Sequence, residues 1–359
     1  MSRHVQVIAE AGVNHNGSLE LAIRLIETAA DAGADAVKFQ TFKAERLVTR
    51  FADKAEYQKK RTGDRESQFE MLRKLELSES GHEELIRHCR KRQIEFLSTP
   101  FDEASLDLLV GKFGLRKIKI SSGDLTNLPL LLKAASLDCR VFLSTGMATL
   151  GEIEAALGAL AFGYLGWREK PSLRAFLRAY GSAEAQAKLK ENVILLHCTT
   201  EYPAPYPDVH LNKMVTLARA FDLPVGYSDH TLGTEVAVAA VALGACVIEK
   251  HFTLDKTMEG PDHRASLEPD ELAGMIRQIR NVEQALGSGR KSPVPSEEKN
   301  MDVARKSIVA ARDIREGETF DETNLTIKRP GSGLPPSMYW DLLGRTARRS
   351  YQKDELIEW

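Results

Sequence analysis

The segment 249–263, EKHFTLDKTMEGPDH, sets Glu249 and His251 at the end of a short apolar run, Cys246-Val247-Ile248, with Asp262 following after a loop. Alternation along an extended chain puts Glu249 and His251 on one side. One segment earlier, Tyr227-Ser228-Asp229-His230 follows Leu223-Pro224-Val225 in the same manner. Two neighbouring strands that each end in a histidine form a candidate metal site, because neutral imidazoles suit zinc, manganese, iron or cobalt. Only His230 and His251 stand out as protein ligands. Water or substrate then completes the shell, which favours a catalytic ion over a structural one. The competing reading is a pair of hydrogen-bonded core histidines. His15, in VNHNGS, is a further candidate ligand, but the turn residues around it favour a structural loop role. His197 reads as a packed core histidine, and Cys198 beside it as a core cysteine rather than a nucleophile.

Other strand-like runs end in reactive or hydrogen-bonding groups too. In chain order these are Glu10; Lys38 and Gln40; Thr99; Lys119 with Ser122 and Asp124; Ser144; Thr200 and Tyr202; Asp229 with His230; and Glu249 with His251. Val37 and Phe39 flank Lys38, and Ile118 and Ile120 flank Lys119, so alternation turns both lysines to the face opposite the apolar pairs. A buried lysine is costly unless an anion meets it. Two of them predict an anionic ligand, with the hydroxyls of Thr99, Ser122 and Ser144 completing a phosphate or carboxylate cradle. Alternatively the lysines snorkel to solvent or pair with Glu10, Asp124 or Glu249.

The elements that must position these groups repeat. Strands are predicted over 5–10, 34–41, 94–100, 115–121, 139–145, 193–199, 224–229 and 245–252, each followed by a helical pattern. Examples are 18–33, with Ser18 as N-cap and Gly33 as C-cap, then 233–245 and 268–287. Eight strand–helix units predict an α/β fold, a closed (β/α)8 TIM barrel whose chemistry lies at the C-terminal strand ends. The alternative is an open doubly wound sheet, but no GxGxxG follows the first strand. Two long connections, 43–67 and 165–190, are expected to shape a substrate site. Near residue 290 the pattern changes. The predicted layout is a barrel over 1–288, a Gly/Pro/Ser-containing linker over 289–300, and a small β-rich domain over 301–359 without a ten-residue helix.

Composition excludes several classes. The formal net charge of −2 argues against a dedicated nucleic-acid binder. No segment reaches the apolar length of a membrane helix, and no signal peptide is recognisable at the N-terminus. The four cysteines, Cys89, Cys139, Cys198 and Cys246, lack CxxC spacing and read as reduced, which fits a cytoplasmic enzyme.

The motifs IAEAGVNHNGS, AVKFQT, FLSTPF, IKISSGD, FLSTGM, LLHCTTEYPAPY, GYSDHT, EKHFT, GPDH and KRPGSG, in this order, resemble the sialic acid synthases, which condense phosphoenolpyruvate with N-acetylmannosamine. The resemblance implies a TIM barrel followed by an antifreeze-like (SAF) domain. It also implies a homodimer in which that domain reaches over the partner's barrel. It implies that His230 and His251 bind a divalent ion, usually manganese, with magnesium or cobalt as options. Lys38, Thr99, Lys119, Ser122, Ser144 and Thr200 would surround phosphoenolpyruvate; Thr200 replaces an asparagine of some members. Glu10, Tyr202 and Asp262 would face the sugar, and Arg329 would arrive from the other subunit. Gln40, Asp124 and Glu249 would complete the polar wall. Asp124 stands where some members have glutamate, and Arg305 where at least one has a phenylalanine. Glu249, Asp124, Gln40 and Lys119 are the expected catalytic groups, with Glu249 moving the proton.

The expected activity is that of an N-acetylneuraminate synthase. The segment 165–190 and CTTEYPAPY look more like those enzymes than like the alternative, a legionaminic or pseudaminic acid synthase using a 2,4-diacetamido-trideoxy hexose. A Schiff-base aldolase with Lys119 as nucleophile is a second class. A metal-dependent hydrolase is disfavoured because the first strand lacks HxH. The strongly charged small domain predicts no ice-binding activity.

Overall fold

A computed structural model describes residues 4–55, 59 and 66–358. The chain divides into two compact units, 1–287 and 288–359.

The first unit is a barrel of parallel strands. They are β1 (Gln6–Gly12), β2 (Ala36–Thr41), β3 (Glu95–Pro100), β4 (Lys117–Ile120), β5 (Arg140–Ser144), β6 (Val193–Cys198), β7 (Val225–Asp229) and β8 (Val247–His251). β1 pairs with both β2 and β8, which closes the first and last units on each other. β3 and β4 lie side by side without a backbone ladder, and Lys117 bridges them to Glu95 at 2.8 Å. All eight predicted strands are present, each within a few residues of its expected limits.

Side-chain alternation sorts the barrel into an outer and an inner layer. Val37, Phe39, Ile118, Ile120, Val141 and Ile248 face the helices and join the main core. Inside, Ile8, Ala36, Leu97, Phe142, Ile194, Leu196 and Val247 form a separate apolar plug. Two residues further along, the same inward rows carry Glu10, Lys38, Thr99, Ser144, Cys198 and Glu249. The floor of the barrel is therefore apolar and its C-terminal mouth polar. Gly226 is required on β7, because a Cβ there would lie 2.6 Å from the Val247 carbonyl oxygen and 2.7 Å from Leu196.

The helices start where local chemistry supplies a cap. Ser18 accepts from the Leu21 amide at the start of helix Leu19–Asp31, and Gly33 follows with φ +83°. Thr149 and Glu152 form a capping box on helix Leu150–Tyr164. The 165–190 connection does not reach the barrel mouth. It folds as helices Leu173–Tyr180 and Ala183–Asn192, and Phe176 packs edge-on to Phe162 at 5.3 Å between ring centroids. Its strongly amphipathic first helix buries an apolar face against the helix layer, so the expectation that this insertion shapes the site is corrected. Of the 43–67 connection, 56–58 and 60–65 lie outside the described residues.

The second unit pairs β9 (Ser307–Ala310) antiparallel with β10 (Leu325–Lys328) around Ile308, Ile314, Phe320, Leu342, Tyr351 and Ile357. Helix Pro295–Ala304 takes up the second half of the stretch expected as linker and runs four residues into the expected small domain, which itself holds no ten-residue helix among its described residues. Pro295 at the first helical position and Glu297 accepting from the Val294 amide nucleate it. Among the described residues no helix is long and apolar enough to cross a membrane.

Candidate active site

A cavity of about 300 Å³ opens at the C-terminal ends of the barrel strands. Glu10, Lys38, Gln40, Thr99, Lys119, Ser122 and Ser144 line it, with Thr200, Tyr202, His230, Glu249, His251 and Asp262. Thirteen of the residues singled out in the sequence thus share one wall. Asp124 does not: its carboxylate accepts from Ser121 Oγ at 2.7 Å and Asn127 Nδ2 at 3.3 Å, which holds the turn after β4. Arg329 belongs to the second unit, where its Nε donates to the Ala304 carbonyl. Asp229 also departs from expectation. As the last residue of β7 it points to the helix side, opposite Ser228.

At the centre sit two buried lysines and two buried carboxylates. Lys38 Nζ lies 2.7 Å from Glu10 Oε2 and 3.6 Å from Glu249 Oε2, and donates to Thr99 Oγ1 at 3.1 Å. Lys119 Nζ donates to Glu249 Oε1 at 2.8 Å, and Ser228 Oγ donates to the same oxygen at 2.7 Å. Both lysines are therefore paired rather than snorkelling. Burial pushes Glu249 upward, but Lys119 and Lys38 outweigh it and hold the carboxyl well below its ordinary range. Burial dominates at Glu10 and raises it to about 7 against the pull of Lys38. Glu10, not Glu249, is the carboxyl that can carry a proton near neutrality. Burial works against the Lys119 ammonium, but Glu249 and Glu10 outweigh it and move its pKa upward. A lysine held protonated is a poor Schiff-base nucleophile, which disfavours the aldolase reading.

The imidazoles of His230 and His251 lie 5.5 Å apart between ring centroids, and the Tyr202 ring lies 4.1 Å from that of His230, tilted by 31°. His230 Nδ1 donates to the Thr199 carbonyl at 2.7 Å, which leaves Nε2 as the free lone pair. Burial, followed by His230 and Lys38, holds His251 well below its ordinary value, so it is neutral. At His230 burial also lowers, but Cys198 and the Thr199 carbonyl outweigh it. His251 Nδ1 is buried without a hydrogen-bond partner. An orphaned imidazole nitrogen beside a tautomer-fixed one suits a divalent ion, and the donor set passes that test. No group of three or more His, Cys, Asp or Glu spaced for a metal occurs among the described residues. Two protein ligands therefore have to be supplemented by water or substrate. His15 accepts from the Gly17 amide through Nδ1 at 3.0 Å and belongs to its loop, and His197 bonds the Val209 carbonyl at 2.6 Å.

Sequence reasoning missed the opposite wall. Val13, Leu47, Val48, Met71, Leu72, Leu75 and Phe101 line the same cavity and make it two-sided. Leu47 and Met71–Leu75 come from short helices Ala44–Leu47 and Gln68–Lys74 and their flanks in the connection after β2. Their apolar spacing is legible, but nothing local says whether it faces a core or a cavity. Cys198, read as core, also lines the cavity, 3.7 Å from His230 Nδ1.

Residues 25–291 match the model of the NeuB family, and residues 305–359 that of the SAF domain. The N,N'-diacetyllegionaminic acid synthase of Campylobacter jejuni is 53% identical over 98% of both chains. Its namesake from Legionella pneumophila is 44% identical over 98% of this chain and 93% of its own. The crystal structure of an N-acetylneuraminic acid synthetase from Leptospira borgpetersenii superposes with a TM-score of 0.66 at 34% identity, covering 83% of this chain and 90% of that one. The chain belongs to the NeuB family and is an enzyme, a carbon–carbon bond-forming transferase of the nonulosonic acid synthase class.

Proposed function

We propose that the enzyme condenses phosphoenolpyruvate with 2,4-diacetamido-2,4,6-trideoxymannose and water, giving N,N'-diacetyllegionaminic acid and phosphate. The observation that carries the acceptor is the higher identity to two legionaminic acid synthases than to the N-acetylneuraminic acid synthetase. This favours the acceptor ranked second from the sequence. The two-sided cavity supports it. A 6-deoxy sugar with two acetamido groups presents three methyls where N-acetylmannosamine presents one, and the apolar wall suits the more methylated acceptor.

Lys38 and Lys119, with Thr99, Ser122, Ser144 and Thr200, hold the phosphate and carboxylate of phosphoenolpyruvate. Gln40, Tyr202 and Asp262 orient the acceptor. His230 and His251 hold a divalent ion, manganese first and magnesium or cobalt as options, which polarises the open-chain aldehyde when bound. The enol carbon attacks the aldehyde carbon. Water adds to the oxocarbenium at the neighbouring carbon, and phosphate departs with cleavage of its C–O bond. Lys119 and Lys38 offset the phosphate charge throughout, and Glu249, fixed by Lys119 and Ser228, faces the oxocarbenium as a permanent anion. Glu10, able to exchange a proton near pH 7, serves the sugar oxygen or the attacking water. Asp124 acts indirectly, by holding the turn that carries Ser122. Arg329 comes from the second subunit of a homodimer and meets an acetamido group.

Phosphate release with manganese decides the acceptor when the two sugars are run side by side. A kcat/KM at least tenfold higher for the diacetamido sugar is expected. A preference for N-acetylmannosamine would return the enzyme to the sialic acid branch with the same fold and lysines.

A further inference from the structure

Behind the two histidines, on the helix side of the barrel wall, lies a second buried ion pair. Asp229 and Lys250 are register partners across β7 and β8, and each is the residue immediately before a site histidine. Both side chains are 0% exposed, and Lys250 Nζ lies 2.8 Å from Asp229 Oδ2. Lys250 Nζ also donates to the Thr231 carbonyl at 2.6 Å. Asp229 Oδ1 accepts from the Thr231 amide at 2.9 Å and from its hydroxyl at 2.7 Å, closing a turn around His230. Four directional contacts therefore clamp the backbone on both sides of His230 and tie it to the residue that precedes His251.

Stability alone does not account for this cluster. Helix-facing neighbours on the same strands, Tyr227 and Ile248, belong to the apolar core. An apolar pair of similar volume would fill the space as well, since desolvation cancels most of what a buried ion pair gains. What charge adds here is direction. The pair fixes the relative height of two strand ends, and the imidazoles extend from those ends into the cavity.

We propose that Asp229, Lys250 and Thr231 are positioning residues that set the spacing of His230 and His251 for a divalent ion. The inference rests on the reading of that histidine pair as a metal site. Its test is manganese binding to the full-length, chelator-stripped protein without substrates, followed by calorimetry. The double variant Asp229→Leu/Lys250→Met removes both charges together, so no lone buried charge remains to unfold the barrel. It should melt cooperatively yet bind manganese at least tenfold more weakly than the wild type. Asp229→Asn in the Lys250→Met background, which keeps the turn-closing oxygen and leaves no buried charge, should recover part of that loss. A folded double variant with wild-type manganese affinity would overturn the positioning role. His251→Ala is the control for the site itself: if it binds manganese as the wild type does, the histidine reading fails, whatever the double variant does. Should the double variant not fold, Lys250→Arg, which keeps the charge but misplaces the donor, takes its place. Undiminished manganese affinity in Lys250→Arg counts against the proposal, and a tenfold loss supports it.

Discussion

Strands β7 and β8 carry two buried ion-paired clusters on opposite faces of the same barrel wall. Facing the cavity, Glu249 is met by Lys119, Lys38 and Ser228. Facing the helices, Asp229 is met by Lys250 and Thr231. The residue types are nearly the same; the completeness of the bonding is not. On the cavity side Ser144 Oγ and His251 Nδ1 are buried without a hydrogen bond, and Glu249 Oε2 has only Lys38 Nζ at 3.6 Å. On the helix side the oxygens of Asp229 and the ammonium of Lys250 are engaged. Native proteins rarely leave buried polar atoms unpaired. On the helix side Tyr227 Oη also lacks a partner, but the Asp229–Lys250 pair is closed; the open atoms of the cavity face mark where a polar ligand is to complete the network.

The two clusters should fail differently. Lys119→Met removes charge where charge develops in the reaction, so kcat/KM should fall by roughly 10³-fold or more. Its melting temperature should change little, because Lys38 still faces Glu249. Lys250→Met leaves the Asp229 charge without its counter-ion in an apolar layer, with only Thr231 bonded to it, and should cost about 3–5 kcal/mol of stability. Phosphate-release kinetics and thermal melts on both variants check the pair. If Lys119→Met unfolds the barrel while Lys250→Met leaves stability intact, the division into ligand face and structural face is wrong.

A mixing experiment extends the test to the second unit. If Arg329 acts on the partner's barrel, inactive Lys119→Met and Arg329→Ala chains should complement when refolded together. Random pairing would restore about a quarter of the wild-type sites, because half the dimers are mixed and each holds one intact site. Activity no greater than the sum of the separate variants would put Arg329 on its own chain's site or on none.

The barrel itself was legible, because several inward rows read as an apolar residue followed two places later by a polar one. Ile8 then Glu10, Ala36 then Lys38, and Val247 then Glu249 repeat that signal on separate strands. Asp229 was assigned to the wrong face because a strand end looks the same from either side unless the alternation is counted from Ser228. Lys250 passed unnoticed between Glu249 and His251, since a lysine in a strand reads as solvent-facing until a helix is known to cover it. The linker was misjudged for a similar reason. Pro295 breaks a pattern when read as composition but starts a helix when Glu297 sits two residues on. The apolar wall needed three dimensions, because Leu47 and Leu72 are distant in sequence and separated by a charged stretch.

That wall gives the next effect in size. Leu72→Asn places a polar group against the acceptor's methyls and should lower kcat/KM for the diacetamido sugar roughly tenfold, the scale of one misplaced group in an apolar pocket. The KM for phosphoenolpyruvate should stay put, because its ligands lie on the polar wall. Equal losses with both sugars would assign Leu72 to packing alone.

The last effect, on stability rather than turnover, concerns the loops that frame the polar wall. His263 bonds Thr253 Oγ1 at 2.7 Å and Asn16 Oδ1 at 3.2 Å, lacing the loop that carries Asp262 to the loop after β1. Burial lowers both His263 and His15 to about 4. Each is neutral when folded and takes up a proton near its ordinary value of 6.5 when unfolded. Between those values the unfolded chain holds more protons, so stability is full above pH 6.5 and declines as pH falls toward 4. Each histidine contributes on the order of 3 kcal/mol over that window. Urea denaturation at pH 7.5 and pH 5 should show the decline, to which the buried His82, His197 and His251 also contribute, and His263→Gln should remove one histidine's share of it while preserving a hydrogen bond to Thr253. An unchanged pH slope in that variant would mean the ring is already protonated in the folded loop, and that Asp262 is held by something other than a neutral histidine.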